Sequence, residues 1–280
     1  MSYKTLVAYS RSENELARVV TAIRAVMGKL PDIHVIGLYS IPSPIVYADP
    51  NGFIDPGMFE LHDKQHNELS SKLKAAFQTE MDRLGLPHEY KIARSESGTA
   101  AEAVLTSCYG AELLVAAQPD PNDPTMSHES ADPIVFNASC PVLLVPYAPI
   151  TPCEGIDRVV VAYNGKREAA RAAFDALPLL KAASHVELIW VDAPVRDEGE
   201  PLAGSGIVRA LTRHGINVNL SHIPSNSRYA QDVLRDYVIA ERADLLVLGA
   251  YSHSRIRELV FGGVTRSMLN NLPVLTLFSR

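Results

Sequence analysis

ADLLVLGAYSHSRIRELVFGGVTRSMLNNLPVLTLFSR, residues 243–280, is the stretch that decides the fold. It begins with a short apolar run, Leu245 to Leu248, closed by Gly249. A run this short, apolar throughout and ended by glycine, predicts a strand covered on both faces. A polar basic segment follows, holding Ser252, His253, Ser254, Arg255 and Arg257, and then Gly262-Gly263 opens a helix at Val264-Thr265. Glycines ahead of a helix leave bare N–H groups at its N-terminus, where amides and helix dipole together favour an anion. Pro273 to Leu277 supplies a last strand. The layout predicts a phosphate seat at the carboxyl edge of a parallel sheet, with Gly249 making a tight turn there.

The same pattern occurs twice. AELLVAA from Ala111 answers ADLLVLG from Ala243, and PVLLV from Pro141 answers PVLTL from Pro273. Leu113 to Leu245 and Pro141 to Pro273 are both displaced by 132 residues, so the segment between them aligns without a gap. At the start of each half, Leu6-Val7-Ala8-Tyr9-Ser10 answers Val160-Val161-Ala162-Tyr163-Asn164, displaced by 154. The first half therefore carries extra residues in its middle. A repeat of this length is a small domain and not a solenoid unit.

These residues resemble the universal stress proteins, which carry G-x-x-G-x9-G-[ST] between the fourth strand and last helix and end on a PVLLVP-type strand. The matching positions are Gly249, Ser252, Gly262 and Gly263, with His253 where the family often has histidine and Val264-Thr265 following in register. The resemblance covers nearly the whole chain. It implies an α/β fold of two tandem doubly wound parallel-sheet domains of the adenine nucleotide alpha hydrolase-like type, residues 1–148 and 156–280. It also implies that they pack as a pseudo-dimer through their last strands, Val142 to Val145 and Val274 to Leu277, with a further homodimer compatible. The family motif seats the triphosphate of ATP. The implied site is Asn164, Gly249, Ser252, His253, Gly262, Gly263, Val264 and Thr265. Three departures imply weak ATP binding: Ser252 replaces a glycine, Gly263 replaces the hydroxyl residue, and Asn164 replaces the aspartate that meets the nucleoside.

The first half departs further. Its matching positions are Ala117, Asp120, Ser130 and Ala131, and the segment between them holds three prolines with Asp120, Asp123 and Glu129. Carboxylates repel a triphosphate, and the glycines that permit close backbone approach are missing. Pro133 removes one N–H donor from the helix that follows. Any nucleotide is expected in the second half.

Each half alternates strand and helix, which predicts parallel sheets with helices on both faces and ligands beyond the strands' carboxyl ends. In the first half, Thr5 to Tyr9 is a strand, and Ser12-Glu13-Asn14-Glu15 has capping-box spacing. Leu16, Val19, Val20 and Ile23 then share one helix face. Ile33 to Tyr39 and His88 to Ala93 are strands. Residues 41–62, rich in proline, glycine and aspartate, predict a long loop, and Leu69 to Leu84 a helix that Gly85 terminates. In the second half the pattern predicts a strand from Arg158 to Tyr163 and one helix running through Leu180. Strands follow at Val186 to Val191 and Val218 to Ile223. Ala148 to Gly155 reads as a short linker. Asp192, at a strand end, faces the ligand cleft or caps the next loop. Lys166 reads as solvent-exposed, and Trp190, the single tryptophan, as core.

Composition narrows the function. A net charge of −6 argues against a nucleic-acid partner. No run approaches the eighteen or so apolar residues of a membrane span. The start, MSYKTLVAYS, goes straight into a strand, and the three cysteines show no metal spacing, so reduced thiols and a cytoplasmic location are expected. No metal is expected, because His253 has no second histidine at ligand spacing. An enzyme is not expected either: Ser252, His253 and Ser254 are adjacent and cannot face one another as nucleophile and base. Two classes of function stay open. In one, an adenine nucleotide binds the second half and biases the choice of a protein partner. In the other, the phosphate seat has decayed and the chain is a pseudo-dimeric scaffold acting through protein contacts.

Overall fold

The computed structural model describes residues 2–28, 30, 32–44, 57–95, 99–123, 130–148, 155–195, 197, 202–250 and 264–280. The first half runs β1 (Thr5–Tyr9), α1 (Glu13–Met27), β2 (His34–Ile41), α2 (Gly57–Leu84), β3 (His88–Arg94), α3 (Ala100–Ser107), β4 (Leu113–Ala117), α4 (Asp132–Asn137) and β5 (Val142–Val145). The second runs β6 (Arg158–Ala162), α5 (Arg167–Asp175), α6 (Leu177–Ala182), β7 (His185–Val191), α7 (Ser205–Arg213), β8 (Val218–Ile223), α8 (Ala230–Ala240), β9 (Leu245–Gly249), α9 (Val264–Asn270) and β10 (Leu275–Ser279).

The ten strands form one sheet in the order β3-β2-β1-β4-β5-β10-β9-β6-β7-β8. Read from either end, the order is third, second, first, fourth and fifth strand of a half. Within each half neighbouring strands are parallel, while β5 and β10 pair antiparallel with Leu144 opposite Thr276 and Val142 opposite Phe278. The pseudo-dimer expected through the last strands is therefore built inside the chain. Two separate sheets are not: hydrogen bonding runs unbroken across the seam. The apolar runs PVLLV and PVLTL are central strands, which removes the aggregation hazard of an exposed apolar edge. Because the seam is antiparallel, the carboxyl edges of the two halves face opposite ways. The linker residues 149–154 lie outside the described residues.

Apolar spacing accounts for the packing. Leu16, Val19, Val20, Ile23 and Val26 of α1 are all buried on one face. At about 1.5–3 kcal/mol per fully buried large apolar side chain, that face alone anchors the helix to the sheet. Ser12 caps α1 as predicted, accepting the Glu15 N–H at 3.2 Å. Gly85 ends α2 with a φ of +67°, where a Cβ is costly.

Two expectations are corrected. The loop predicted for residues 41–62 ends early, since α2 already begins at Gly57; Met58, Glu60, Leu61 and Lys64 are good helix formers behind a proline-rich stretch. The helix expected to run through Leu180 is two helices. They break at Ala176 because Pro178 sits in the first turn of α6, where its missing N–H costs nothing. Among the described residues no helix is long and apolar enough to cross a membrane.

Candidate functional site

The carboxyl ends of β6, β7, β8 and β9 bring four pieces of the second half to one edge. After β6 comes the turn Asn164-Gly165-Lys166. The Asn164 side-chain oxygen accepts the Lys166 N–H at 3.0 Å, and Gly165 takes a φ of +72°. Asn164 and Lys166 are exposed. The amide oxygen of Asn164 thus accepts one bond from its own turn, and its second lone pair and its NH₂ stay available to a ligand. Lys166 is the solvent-exposed residue the sequence implied.

Trp190 is not core. It is half-buried near the end of β7, packed edge-on against Tyr163 with ring centroids 5.2 Å apart. A Cβ on Gly165 would lie 2.7 Å from its indole, so the glycine is needed for space as well as for φ. The indole also meets His222 edge-on, with ring centroids 6.5 Å apart, and His222 donates from Nε2 to the Ala203 carbonyl at 2.8 Å. His222 lines a cavity of about 510 Å³ with Asp192, Pro194, Leu202, Ile223 and Pro224. Trp190 therefore bridges the Asn164 turn and this cavity. Sequence reading missed its role, although a lone tryptophan one residue before the last of a strand is the signal that marks it. Asp192 takes the capping role: its carboxylate accepts the Ser225 N–H at 2.8 Å, tying the ends of β7 and β8 together. That bond and the Ser225 side chain hold its carboxyl below the usual range. Burial pushes the Tyr163 phenol upward.

Gly249 ends β9 in ordinary strand backbone and not in a left-handed turn. It is needed because α5 passes over it: an added Cβ would lie 2.4 Å from the Ala169 nitrogen and 2.5 Å from the Glu168 carbonyl carbon. Backbone cannot give way as a side-chain tip can. Gly249→Val is expected to cost about 3 kcal/mol in urea unfolding, against less than about 0.5 kcal/mol for Gly110→Ala, whose site is open. Equal costs would remove this role from Gly249. Val264 and Thr265 open α9, whose first turn carries no acid; Val264 is half-buried and Thr265 buried. Ser252, His253, Gly262 and Gly263, like Arg255 and Arg257, lie outside the described residues. Of the eight implied site residues, Asn164, Gly249, Val264 and Thr265 are thus placed at one edge.

The first half holds different chemistry at the matching edge. Arg11 stands where the second half has Gly165, and its guanidinium is buried against Glu15 with Nη2–Oε1 at 2.5 Å and Nε–Oε2 at 3.1 Å. The Glu15 carboxylate also accepts the Arg11 N–H at 2.8 Å. Gln118, equivalent to Ala250, is buried; it donates to the Leu269 carbonyl at 2.8 Å and accepts the Tyr147 N–H at 3.1 Å. At the start of α4 the Ser130 hydroxyl accepts the Asp132 N–H at 3.1 Å, and the Asp132 carboxylate occupies the first turn. The first half fills its own positions where the second leaves glycine and alanine.

Comparison with solved structures places the whole architecture. A universal stress protein from Archaeoglobus fulgidus DSM 4304 superposes with a TM-score of 0.69 over 99% of this chain and 96% of that one, at 13% identity. A putative universal stress protein from Pseudomonas aeruginosa UCBPP-PA14 gives 0.56 over 99% and 93%, at 13% identity. A functionally unknown protein from Pseudomonas aeruginosa PAO1 gives 0.56 over 99% and 92%, at 14% identity. No protein-family model matches the sequence, and no curated protein is similar to it. The chain has, from end to end, the fold of the universal stress proteins, with two copies of its five-stranded unit joined in one sheet.

Proposed function

We propose that the chain is a universal stress protein that binds an adenine nucleotide in its second half and responds to it through partner choice. The observation that carries this reading is the contrast between the halves at one equivalent turn. A buried Arg11–Glu15 pair closes it in the first, while Gly165, with Trp190 beside it, leaves it open in the second. The exposed NH₂ of Asn164 and the half-buried indole of Trp190 suit the edge and face of a purine, since aromatic stacking tolerates any base. The Gly262-Gly263 pair ahead of α9 suits the phosphates. Binding is weak: a charge-assisted bond contributes about 1.5–3 kcal/mol, and Asn164 and Gly263 each forgo one. Hydrolysis is negligible in this reading, because adjacent Ser252, His253 and Ser254 cannot face one another as nucleophile and base. The cytoplasm is the expected compartment.

The alternative is a scaffold that has lost its nucleotide. It is favoured by one observation, the bond by which the Lys166 N–H engages the Asn164 amide oxygen, an uncharged group where the family has aspartate. Calorimetry with ATP separates the two. Gly262→Asp is expected to abolish binding by placing a carboxylate in the phosphate seat, and Ala131→Asp to leave it unchanged. Asn164→Asp with Gly263→Ser is expected to tighten it by about tenfold or more. Equal loss in the first two variants, or no gain in the third, sinks the assignment.

A further inference from the structure

We propose that His62 and His66, one turn apart on α2, bind a late first-row divalent metal ion of the zinc, copper or nickel class. Residues four apart on a helix share a face, and the two imidazole rings are in contact with centroids 4.3 Å apart. An ion held by two imidazole nitrogens at about 2.0–2.1 Å needs them about 3 Å from one another, a separation that neighbouring rings allow. The Nδ1 atoms are turned to oxygen. His66 Nδ1 stands 2.6 Å from the Tyr39 hydroxyl, and His62 Nδ1 stands 3.8 Å from the Asp63 carboxylate. Among the described residues neither Nε2 has a hydrogen-bond partner.

Metal-bound histidine is arranged in this way: one ring nitrogen takes the ion, and the other donates to an oxygen that fixes the ring. Tyr39 is 2% exposed on β2, so the oxygen facing His66 is anchored in the sheet. Arg94, the guanidinium beside the pair, donates to Asp63 at 2.9 Å, which offsets its charge. Imidazoles without a thiolate suit zinc, copper or nickel. Among the described residues no third histidine, cysteine or carboxylate completes a set of three, so water takes the remaining positions and the ion is exchangeable.

The pair occupies the part of α2 that packing does not account for. This helix has 28 residues, against nine in its counterpart α7. Its buried residues are Ser70, Leu73, Phe77 and Met81, none of them before Ser70. The earlier turns meet the sheet through polar contacts, His66 with Tyr39 and Asp63 with Arg94. The second half builds the same five-stranded unit on a shorter helix, so the fold does not demand these turns. An ion bridging two of them would give them a further anchor. The sequence hides the pair: a loop over residues 41–62 leaves His62 without a helical neighbour, and only the start of α2 at Gly57 puts it beside His66.

The test is isothermal titration of nickel chloride into the untagged full chain without nucleotide; nickel(II) leaves the thiols reduced. The parent is expected to bind one nickel ion, and His62→Ala and His66→Ala each to weaken it by at least about tenfold, since either leaves a single imidazole. Tyr39→Phe should weaken it by about tenfold by removing the oxygen that fixes His66. His185→Ala, at an exposed histidine of the second half, should leave it unchanged. Circular dichroism shows whether each variant is folded. A second reading needs the parent alone: in proton NMR, paramagnetic nickel should broaden the ring signals of His62 and His66 first among the nine histidines. No nickel bound by the parent, affinity unchanged in His62→Ala, His66→Ala or Tyr39→Phe, or broadening that begins at another histidine would overturn the proposal.

Discussion

Arg11→Met is expected to destabilise the chain by about 3–5 kcal/mol, because it strands the Glu15 carboxylate in the core. Arg11 is 8% exposed and Glu15 3%, and the guanidinium meets the carboxylate at two points. Removing Arg11 takes away the cation bonded to both oxygens of a carboxylate that is 3% exposed. Removing both, with Arg11→Met and Glu15→Leu, is expected to restore stability to within about 2 kcal/mol of the parent; the residual cost is the Arg11 N–H that Glu15 satisfied. Arg83→Met is the contrast. Its pair with Glu80 is largely exposed, so the loss should stay below about 1 kcal/mol. Urea denaturation reads all three. If Arg11→Met costs no more than Arg83→Met, the pair does not fill the first half's site in the manner described.

Leu277→Asp is expected to be the most damaging single change, at about 4 kcal/mol or more. Leu277 is 0% exposed at the middle of β10 and lies opposite Leu143 of β5, itself 0% exposed. A carboxylate there enters the apolar centre of the ten-stranded sheet with no donor to receive it. The damage falls on the seam, so unfolding should also lose its single cooperative step and show the halves melting apart. Tyr109→Asp, at a residue 78% exposed, should do neither. A cooperative Leu277→Asp variant of parental stability would mean that the halves do not depend on this seam.

The fold was legible because its strands are short apolar runs bounded by polar or small residues. β1 and β8 fall where the alternation placed them, and the resemblance to the universal stress proteins pointed to the doubled PVLLV and PVLTL runs as the seam. What escaped was decided by contacts between distant residues. The start of α2 lay hidden because proline and aspartate just before it outweigh helix formers such as Met58 and Glu60. Trp190 looked like core because its size and β7 context fit burial; only its meeting with Gly165, twenty-five residues away in sequence, shows it at the mouth of the second-half edge. Ser12 and Glu15 fit a capping box. Nothing local tells that the carboxylate turns to Arg11 and not to the Ser12 N–H. Gly249 was right as a requirement and wrong in its reason, since the helix that crosses it lies some eighty residues earlier in the chain. At the candidate site the sequence still carries Ser252, His253, Gly262 and Gly263, while the structure places Asn164, Gly249, Val264 and Thr265.

The central claim is one open nucleotide site on a doubled fold, and the stoichiometry of ATP binding tests it most directly. Isothermal titration of the intact chain is expected to show one ATP per chain with a Kd in the micromolar range or weaker. Two equivalent sites per chain, or no binding at any accessible concentration, would contradict it.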